Sequence, residues 1–459
     1  MSRRKLILLG ACAWLGLFLL VAAPGAFAGG QGEKANGPVQ FAFGSTWAPS
    51  QSGQAEDYHL GIFKAWQAKN PNVKVDLQEY GSADYVQIQE KTWLASNTWP
   101  DSFEINTVDL ATAAKTGQLL DITSALNADT AWRDSFLPGM VANENLIGGK
   151  YYGVPMQFIT NETFFYNTDI LKQAGYTEFP KTWGDLLALC AKLKSMGYVP
   201  IAMVDKATWP AVSHLLEPLC QFIMGPDWVK KVGAFSADAS YNDPRFLDVL
   251  KKINDLKTLG YLPSNVASAD FGDDTGLYFA KKAAIYLDGS WAVSGVIKNA
   301  PADVLAVTKA APMPRPENSD PASAYGLFTG GSGWSYAGRA DLAKATDAKR
   351  NAVLSLIKFM TGPDAIGTIV QNYQLPPNKL PSTLDMSKTA TLMVDTFKMF
   401  SASPSIPPMN QQQNGATMST ALYKDCQAML AGAMTPEQMM TDVQAAYVKA
   451  VAEMAAINK

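Results

Sequence analysis

Residues 70–77 read Asn70-Pro71-Asn72-Val73-Lys74-Val75-Asp76-Leu77. A turn-forming Asn-Pro-Asn interrupts the chain, and apolar residues then recur at every second position, the period of a strand with one packed face. Upstream, Leu60, Phe63 and Trp66 recur at helical spacing. Further upstream, Val39, Phe41 and Phe43 alternate and stop at Gly44. Downstream, a helical pattern runs from about Asp84 to Ser96, and residues 102–105 read as a short strand. The order is strand, helix, strand, helix, strand. It predicts a parallel sheet with helices on its faces.

The same alternation restarts near residue 160. Residues 163–166 read as a strand, and Thr182-Trp183-Gly184-Asp185 is a capping-box pattern opening a helix to about Ser195. Residues 199–204 are the next strand. Asp243-Pro244 reads as an N-cap followed by proline at the first helical position, with Phe246, Leu247, Leu250, Ile253 and Leu256 behind it and Gly260 as the stop. Residues 284–287 form a further strand. The last hundred residues are mostly helical, and Thr435-Pro436-Glu437-Gln438 caps the final helix. Two α/β units are expected, with the change-over at about residues 150–165.

The N-terminus carries an export pattern. Arg3, Arg4 and Lys5 precede an apolar run from Leu6 through Ala23, Pro24 and Gly25 break it, and Ala26-Phe27-Ala28 offers a cleavage site. Residues 1–28 are expected to be a signal peptide and residues 29–38 a flexible leader. A lipid anchor at Cys12 is the lesser alternative, because its apolar stretch is short. Setting residues 1–28 aside leaves 35 basic residues (38 minus three) against 41 acidic ones, a net charge near −6. That balance, with no basic block, argues against nucleic acid as a partner.

Cys190, Cys220 and Cys426 are an odd set, so they are no disulfide framework. Buried thiols are expected, with a Cys190–Cys220 bridge left open. His59 and His214 have no partner at ligand spacing, so no metal site is expected. There is no phosphate-binding glycine loop, dinucleotide fingerprint, zinc-protease motif or nucleophile elbow. No catalytic residue and no cofactor are assigned.

Five segments carry a resemblance. They are Asn70–Val75 with Trp99-Pro100-Asp101; residues 148–155, GGKYYGVP, leading to Phe165-Tyr166-Asn167-Thr168-Asp169; Pro180-Lys181-Thr182-Trp183; residues 284–291, AIYLDGSW; and Phe359-Met360-Thr361-Gly362-Pro363. Together, and in this order, they resemble the extracytoplasmic sugar-binding proteins of ABC importers, the maltose-binding-protein-like family 1 solute-binding proteins. One departure is Ala280-Lys281-Lys282, where a glycine is usual.

The resemblance implies an α/β, two-lobed periplasmic-binding-protein fold (type II), with the ligand in a cleft between lobes joined by a hinge. Lobe one would hold residues 39–155 and 325–375, and lobe two residues 160–320 and 380–459. The hinge would lie near 155–166, 320–325 and 375–380. It implies a monomer that captures a small-molecule ligand, a sugar, and delivers it to the transmembrane subunits of an ABC permease. A non-sugar neutral solute and a secreted glycoside hydrolase are the alternatives.

A sugar has polar edges and an apolar C–H face, so its site should join hydrogen-bonding groups to flat aromatic surfaces. Trp47, Trp209, Trp291 and Trp334 each fall just after a predicted strand or glycine loop. The resemblance places Trp209 and Trp291 in loops whose aromatic residues line the sugar. Asp288, beside Trp291, is the leading polar candidate. Glu104 and Asn106 end a strand, Gln157 and Asn161 lie in the expected hinge, and Asn410, Gln411 and Gln412 belong to an amide run. Trp66, Trp93 and Trp183, on helix faces, are expected in the core.

Overall fold

The structure is a computed structural model that describes residues 38–48, 58–81, 84–403, 405–406 and 416–457. The expected signal peptide, the leader up to residue 37 and the run Asn410, Gln411, Gln412 and Gln413 lie outside the described residues.

In chain order the strands are β1 (Val39–Ser45), β2 (Val73–Glu79), β3 (Ser102–Asn106), β4 (Leu146–Ile147), β5 (Lys150–Tyr151), β6 (Gly153–Pro155), β7 (Ile159–Thr160), β8 (Thr163–Asn167), β9 (Val199–Ala202), β10 (Ala283–Asp288), β11 (Thr308–Ala311), β12 (Phe328–Gly331), β13 (Trp334–Gly338) and β14 (Ser405–Ile406). They form a first sheet in the order β2-β1-β3-β13-β6 and a second in the order β11-β8-β10-β9. A narrow third sheet, β14-β12-β7, includes two of the segments that pass between them, β7 and β12.

The expected parallel sheets are mixed. In the first, β1 runs parallel to β2 and β3, but β13 is antiparallel to both β3 and β6. In the second, β9 and β10 are parallel while β8 is antiparallel to β10 and β11. The reversed strands, β13 and β8, are those that follow the crossing strands β12 and β7. They enter from the far side, so they run against the strands built by local strand–helix–strand turns.

Strand alternation divides the second sheet cleanly. Phe164, Tyr166, Ile285 and Leu287 pack with Trp183, Leu189 and Ile201 on one face. Phe165 and Tyr286, one residue out of step, pack with Tyr278, Val293 and Leu392 on the other. Helix Thr391–Ser401 lies against β11 and helix Ala292–Asn299. Helices Ala416–Leu430 and Pro436–Ile457 cover the opposite face through Met418, Leu422, Val443 and Tyr447.

The helix signals hold. Thr182 accepts from the Asp185 N–H at 3.2 Å, and Asp243 from the Arg245 N–H at 2.9 Å. Thr435 and Gln438 complete a reciprocal capping box at 2.8 and 3.2 Å. Trp66, Trp93 and Trp183 are core residues, all at most 5% exposed. Cys190, Cys220 and Cys426 are buried free thiols of the second sheet's core. Lys281, in the Ala280-Lys281-Lys282 departure, takes a left-handed φ of 55° at the turn into β10, and its ammonium pairs with Asp303.

Candidate functional site

Strand register decides where the two sheets present their carboxyl ends. In the first sheet, Trp334 opens β13 opposite Asn106, the last residue of β3, and Ser335 faces Pro155 at the end of β6. In the second, Thr163 opens β8 opposite Asp288, the last residue of β10. Chain 156–162 joins Pro155 to Thr163. Both sets of carboxyl ends therefore lie at the crossing, the position at which open α/β sheets hold ligands.

At the second sheet, Asp288 is 7% exposed and accepts from its neighbour Gly289 N–H at 2.7 Å and from the Tyr286 hydroxyl. His214 Nε2 lies 3.3 Å from Asp288 Oδ1. The half-buried Trp291 ring folds back over Gly289. A Cβ at 289 would stand 2.2 Å from that ring, so only glycine fits. Trp209, also half-buried, meets Trp291 with centroids 5.7 Å apart and planes at 61°, and Phe271 at 5.8 Å and 31°. Phe271 is 53% exposed. Three aromatic rings thus form a corner above a buried carboxylate.

The loop that carries Trp209 is stapled and strained. Asp205 accepts from the Ala211 N–H at 2.8 Å, and Thr208, whose N–H bonds the Asp205 carbonyl, is held at φ 69°. A β-branched residue in that region costs about 1–3 kcal/mol, which the surrounding packing must offset. Burial raises the Asp205 carboxyl to about 7, against its bond to Ala211 and the pull of His214.

The first sheet's end is divided. Trp47 is 1% exposed, and its indole N–H donates to Glu104. Thr46 gives Glu104 two more bonds, from N at 2.8 Å and from Oγ1 at 2.7 Å. The Trp47 ring stacks on His59 with planes at 11°. Trp47 and Glu104, expected to meet a ligand, form a buried pair. Asn106, Trp334 and Gln157 are half-buried and close together. Gln157 Nε2 lies 3.9 Å from where a Gly333 Cβ would stand, and the Trp334 ring lies 6.1 Å from Tyr85.

Asn161, in the expected hinge, is buried as well. It is 3% exposed, and its amide donates to Glu217 Oε2 at 2.9 Å. Its carbonyl faces His214 Nδ1. It belongs to the framework under the site. That framework is continuous with the crossing: Ser290 exchanges two bonds with Thr160 at 2.9 Å, and Glu162 accepts from Thr329 N at 2.9 Å and from the Thr329 hydroxyl. On the other side, Glu144 Oε2 accepts from Ser332 N at 2.8 Å and Gly333 N at 3.2 Å. Burial lifts the Glu144 carboxyl to about 7 and holds that of Glu162 well above the usual range. Between these carboxylates lies Gly330, where a Cβ would sit 2.2 Å from the Ile159 carbonyl oxygen. Among the described residues, no group of three His, Cys, Asp or Glu is placed to hold a metal ion.

Residues 35–366 match the family of bacterial extracellular solute-binding proteins. The chain belongs to that family. The solute-binding protein is 26% identical over 239 residues to an uncharacterised ABC transporter extracellular-binding protein of Pyrococcus horikoshii, covering 50% of this chain and 52% of that one. It is 29% identical over 182 residues to the diacetylchitobiose binding protein of Streptomyces coelicolor, covering 39% and 40%. It spans about half the length of the curated relatives it matches. A solved chitin oligosaccharide binding protein superposes with TM-score 0.77 at 22% identity, covering 90% of this chain and 99% of that one. That likeness establishes the two-lobed α/β fold.

His214, Tyr286, Glu217, Phe271 and Glu144 had no signal as site residues. His214 pairs with Asp288 across 74 positions of sequence, and a lone histidine on an apolar helix face gives no hint of that.

Proposed function

We propose that this solute-binding protein captures a carbohydrate outside the cytoplasm and delivers it to the transmembrane subunits of an ABC importer. The observation that carries this reading is the corner of Trp209, Trp291 and Phe271 above Asp288, at the carboxyl edge of the second sheet. Aromatic faces match the C–H face of a pyranose, and Asp288, held by Gly289 and Tyr286, has a lone pair of Oδ2 left to accept a ligand hydroxyl. Asn106, Gln157 and Trp334 at the first sheet's end add amide donors and acceptors and a fourth ring. Aromatic, amide and carboxylate groups together suit a neutral, polyhydroxylated ligand. The diacetylchitobiose and chitin oligosaccharide binders among its relatives support the class.

Ligand docks on the aromatic corner, the crossing near Gly330 flexes, and the amide cluster of the first sheet closes on it. Closure is favoured by contacts that exist only in the closed state. No bond is made or broken. The protein acts as a monomer after removal of residues 1–28. Titration calorimetry against a panel of mono- and oligosaccharides, including N-acetylated and neutral forms, tests the reading. Saturable binding to at least one is expected. Heat with none of them, from a protein that unfolds cooperatively, rules it out.

A further inference from the structure

We infer that Gln427, on helix Ala416–Leu430, is a positioning residue: its amide grips the two loops that carry Trp209 and Phe271, sets their place against Trp291, and through that spacing sets carbohydrate affinity. The effect on affinity rests on the proposed carbohydrate reading; the positioning of the rings does not.

The two loops are laced through their main chains. Asp205 N donates to the Val266 carbonyl at 2.8 Å, and Lys206 N to the Ala269 carbonyl at 3.3 Å. Lys206 Nζ reaches Asp270 at 2.6 Å, but both side chains are exposed, so that pair adds little. From this lacing each loop runs on to its ring, through Thr208 to Trp209 and through Asp270 to Phe271, and the two rings meet at 5.8 Å. Trp209 is half-buried and Phe271 is 53% exposed. Packing covers neither ring fully, so the main chain beneath them does much of the aiming.

Gln427 holds that main chain from outside. Its Nε2 lies 2.6 Å from the Asp205 carbonyl oxygen, 3.2 Å from that of Lys206 and 3.2 Å from that of Ala267. Three carbonyls, drawn from both loops, converge on one nitrogen. Carbonyls can only accept, so the group between them must donate, which fixes the amide with its NH2 end inward. The Asp205 carbonyl also accepts the Thr208 N–H at 3.0 Å. The grip therefore falls on the base of the strained turn behind Trp209. The post that carries it is firm. Cys426, Met429 and Leu430 beside Gln427, and Met418 and Leu422 earlier on the helix, are at most 1% exposed, while Gln427 is half-buried at the edge.

Trp291 is placed by other means. Its ring folds over Gly289, and Ser290 ties that end of β10 to Thr160. The aromatic corner thus has two separately anchored walls, one of Trp291 and one of Trp209 with Phe271. Gln427 fixes the second wall to the body of the second sheet and so governs the gap between the two. A ligand that touches both walls loses affinity once the second can drift, because binding must then supply the ordering.

Two variants separate the donor from the bulk of the side chain. Gln427→Met keeps the length and the apolar stem but has no N–H, whereas Gln427→Lys brings an ammonium with three donors to the three carbonyls. In protein labelled with fluorotryptophan, the Trp209 resonance, assigned with Trp209→Phe, reports the wall without any ligand. Gln427→Met should shift or broaden that resonance and leave those of tryptophans outside the corner in place. Its urea unfolding midpoint should stay close to wild type, and its affinity for the carbohydrate that binds wild type should fall about tenfold, the size of one net hydrogen bond. Gln427→Lys should restore both the resonance and the affinity. An unmoved Trp209 resonance or unchanged affinity in Gln427→Met overturns the inference. So does a loss of affinity that comes with resonances displaced throughout the protein or a collapsed unfolding midpoint, and so does a Gln427→Lys that behaves like Gln427→Met. Should wild type bind no carbohydrate, the proposed function fails and the resonances alone decide the role of Gln427.

Discussion

Each sheet ends in a tryptophan beside a carboxylate, and the two pairs sit in opposite states. At the first, Trp47 is 1% exposed and gives its N–H to Glu104, which Thr46 also holds. At the second, Asp288 is held by Tyr286, Gly289 and His214, and Trp291 keeps a half-open face over Gly289. A carboxylate that satisfies the indole N–H draws the ring inward. A carboxylate satisfied by other donors leaves the ring outside. The partner of the carboxylate, more than the presence of tryptophan, separates the buried ring from the half-open one.

The largest break in that comparison should come from Trp47→Ala. Emptying a buried indole site costs about 3–5 kcal/mol of stability, read from urea unfolding, while carbohydrate affinity in the folded protein stays near wild type. A large loss of affinity with intact stability would return Trp47 to the ligand surface.

Glu144 tests the buried carboxylates that hold the crossing. Its folded value of about 7 lies above the ordinary 4.5. Below 4.5 both folded and unfolded chains carry the proton. From 4.5 to 7 only the folded chain keeps it, so stability falls with rising pH across that window and levels off above it, by roughly 3 kcal/mol in all. Glu144→Gln keeps an acceptor for Ser332 and Gly333 but cannot ionise. The stability of the variant relative to wild type should therefore rise by about that amount from acid to neutral pH. A constant difference would show that Glu144 is not the titrating group.

Trp291→Ala should reverse the Trp47 pattern, weakening binding by about 1–3 kcal/mol with a smaller stability loss than Trp47→Ala. Unchanged affinity by calorimetry would remove Trp291 from the site. The smallest effect is expected at Thr208. Replacement by Gly relieves the left-handed strain but frees the unfolded chain, so stability should move by less than about 1 kcal/mol. Affinity should drop modestly as Trp209 gains freedom. Tighter binding would show that the strain holds Trp209 away from its best position.

Most of the elements were legible because they obey local rules. Alternation gave β1 and β2, and Thr182, Asp243 and Thr435 marked helix starts that the hydrogen bonds confirm. Strand direction in β8 and β13 was not legible, since it depends on which sheet the chain has come from. Trp47 and Trp291 look alike in sequence, and only contacts far along the chain tell them apart: Glu104 lies 57 positions from Trp47. Asn161 read as a ligand candidate in the expected hinge, and its bond to Glu217, 56 positions away, had no local signal.

β7 and β12 pass between the two sheets, and β14, whose flanking helices both lie on the second sheet, is hydrogen-bonded beside β12. A single linking strand would let one half swivel freely about it. A hydrogen-bonded ribbon bends across its flat face but resists twist and shear, because both would break its ladder. Such a ribbon would leave the closure proposed above one easy direction, like a leaf spring.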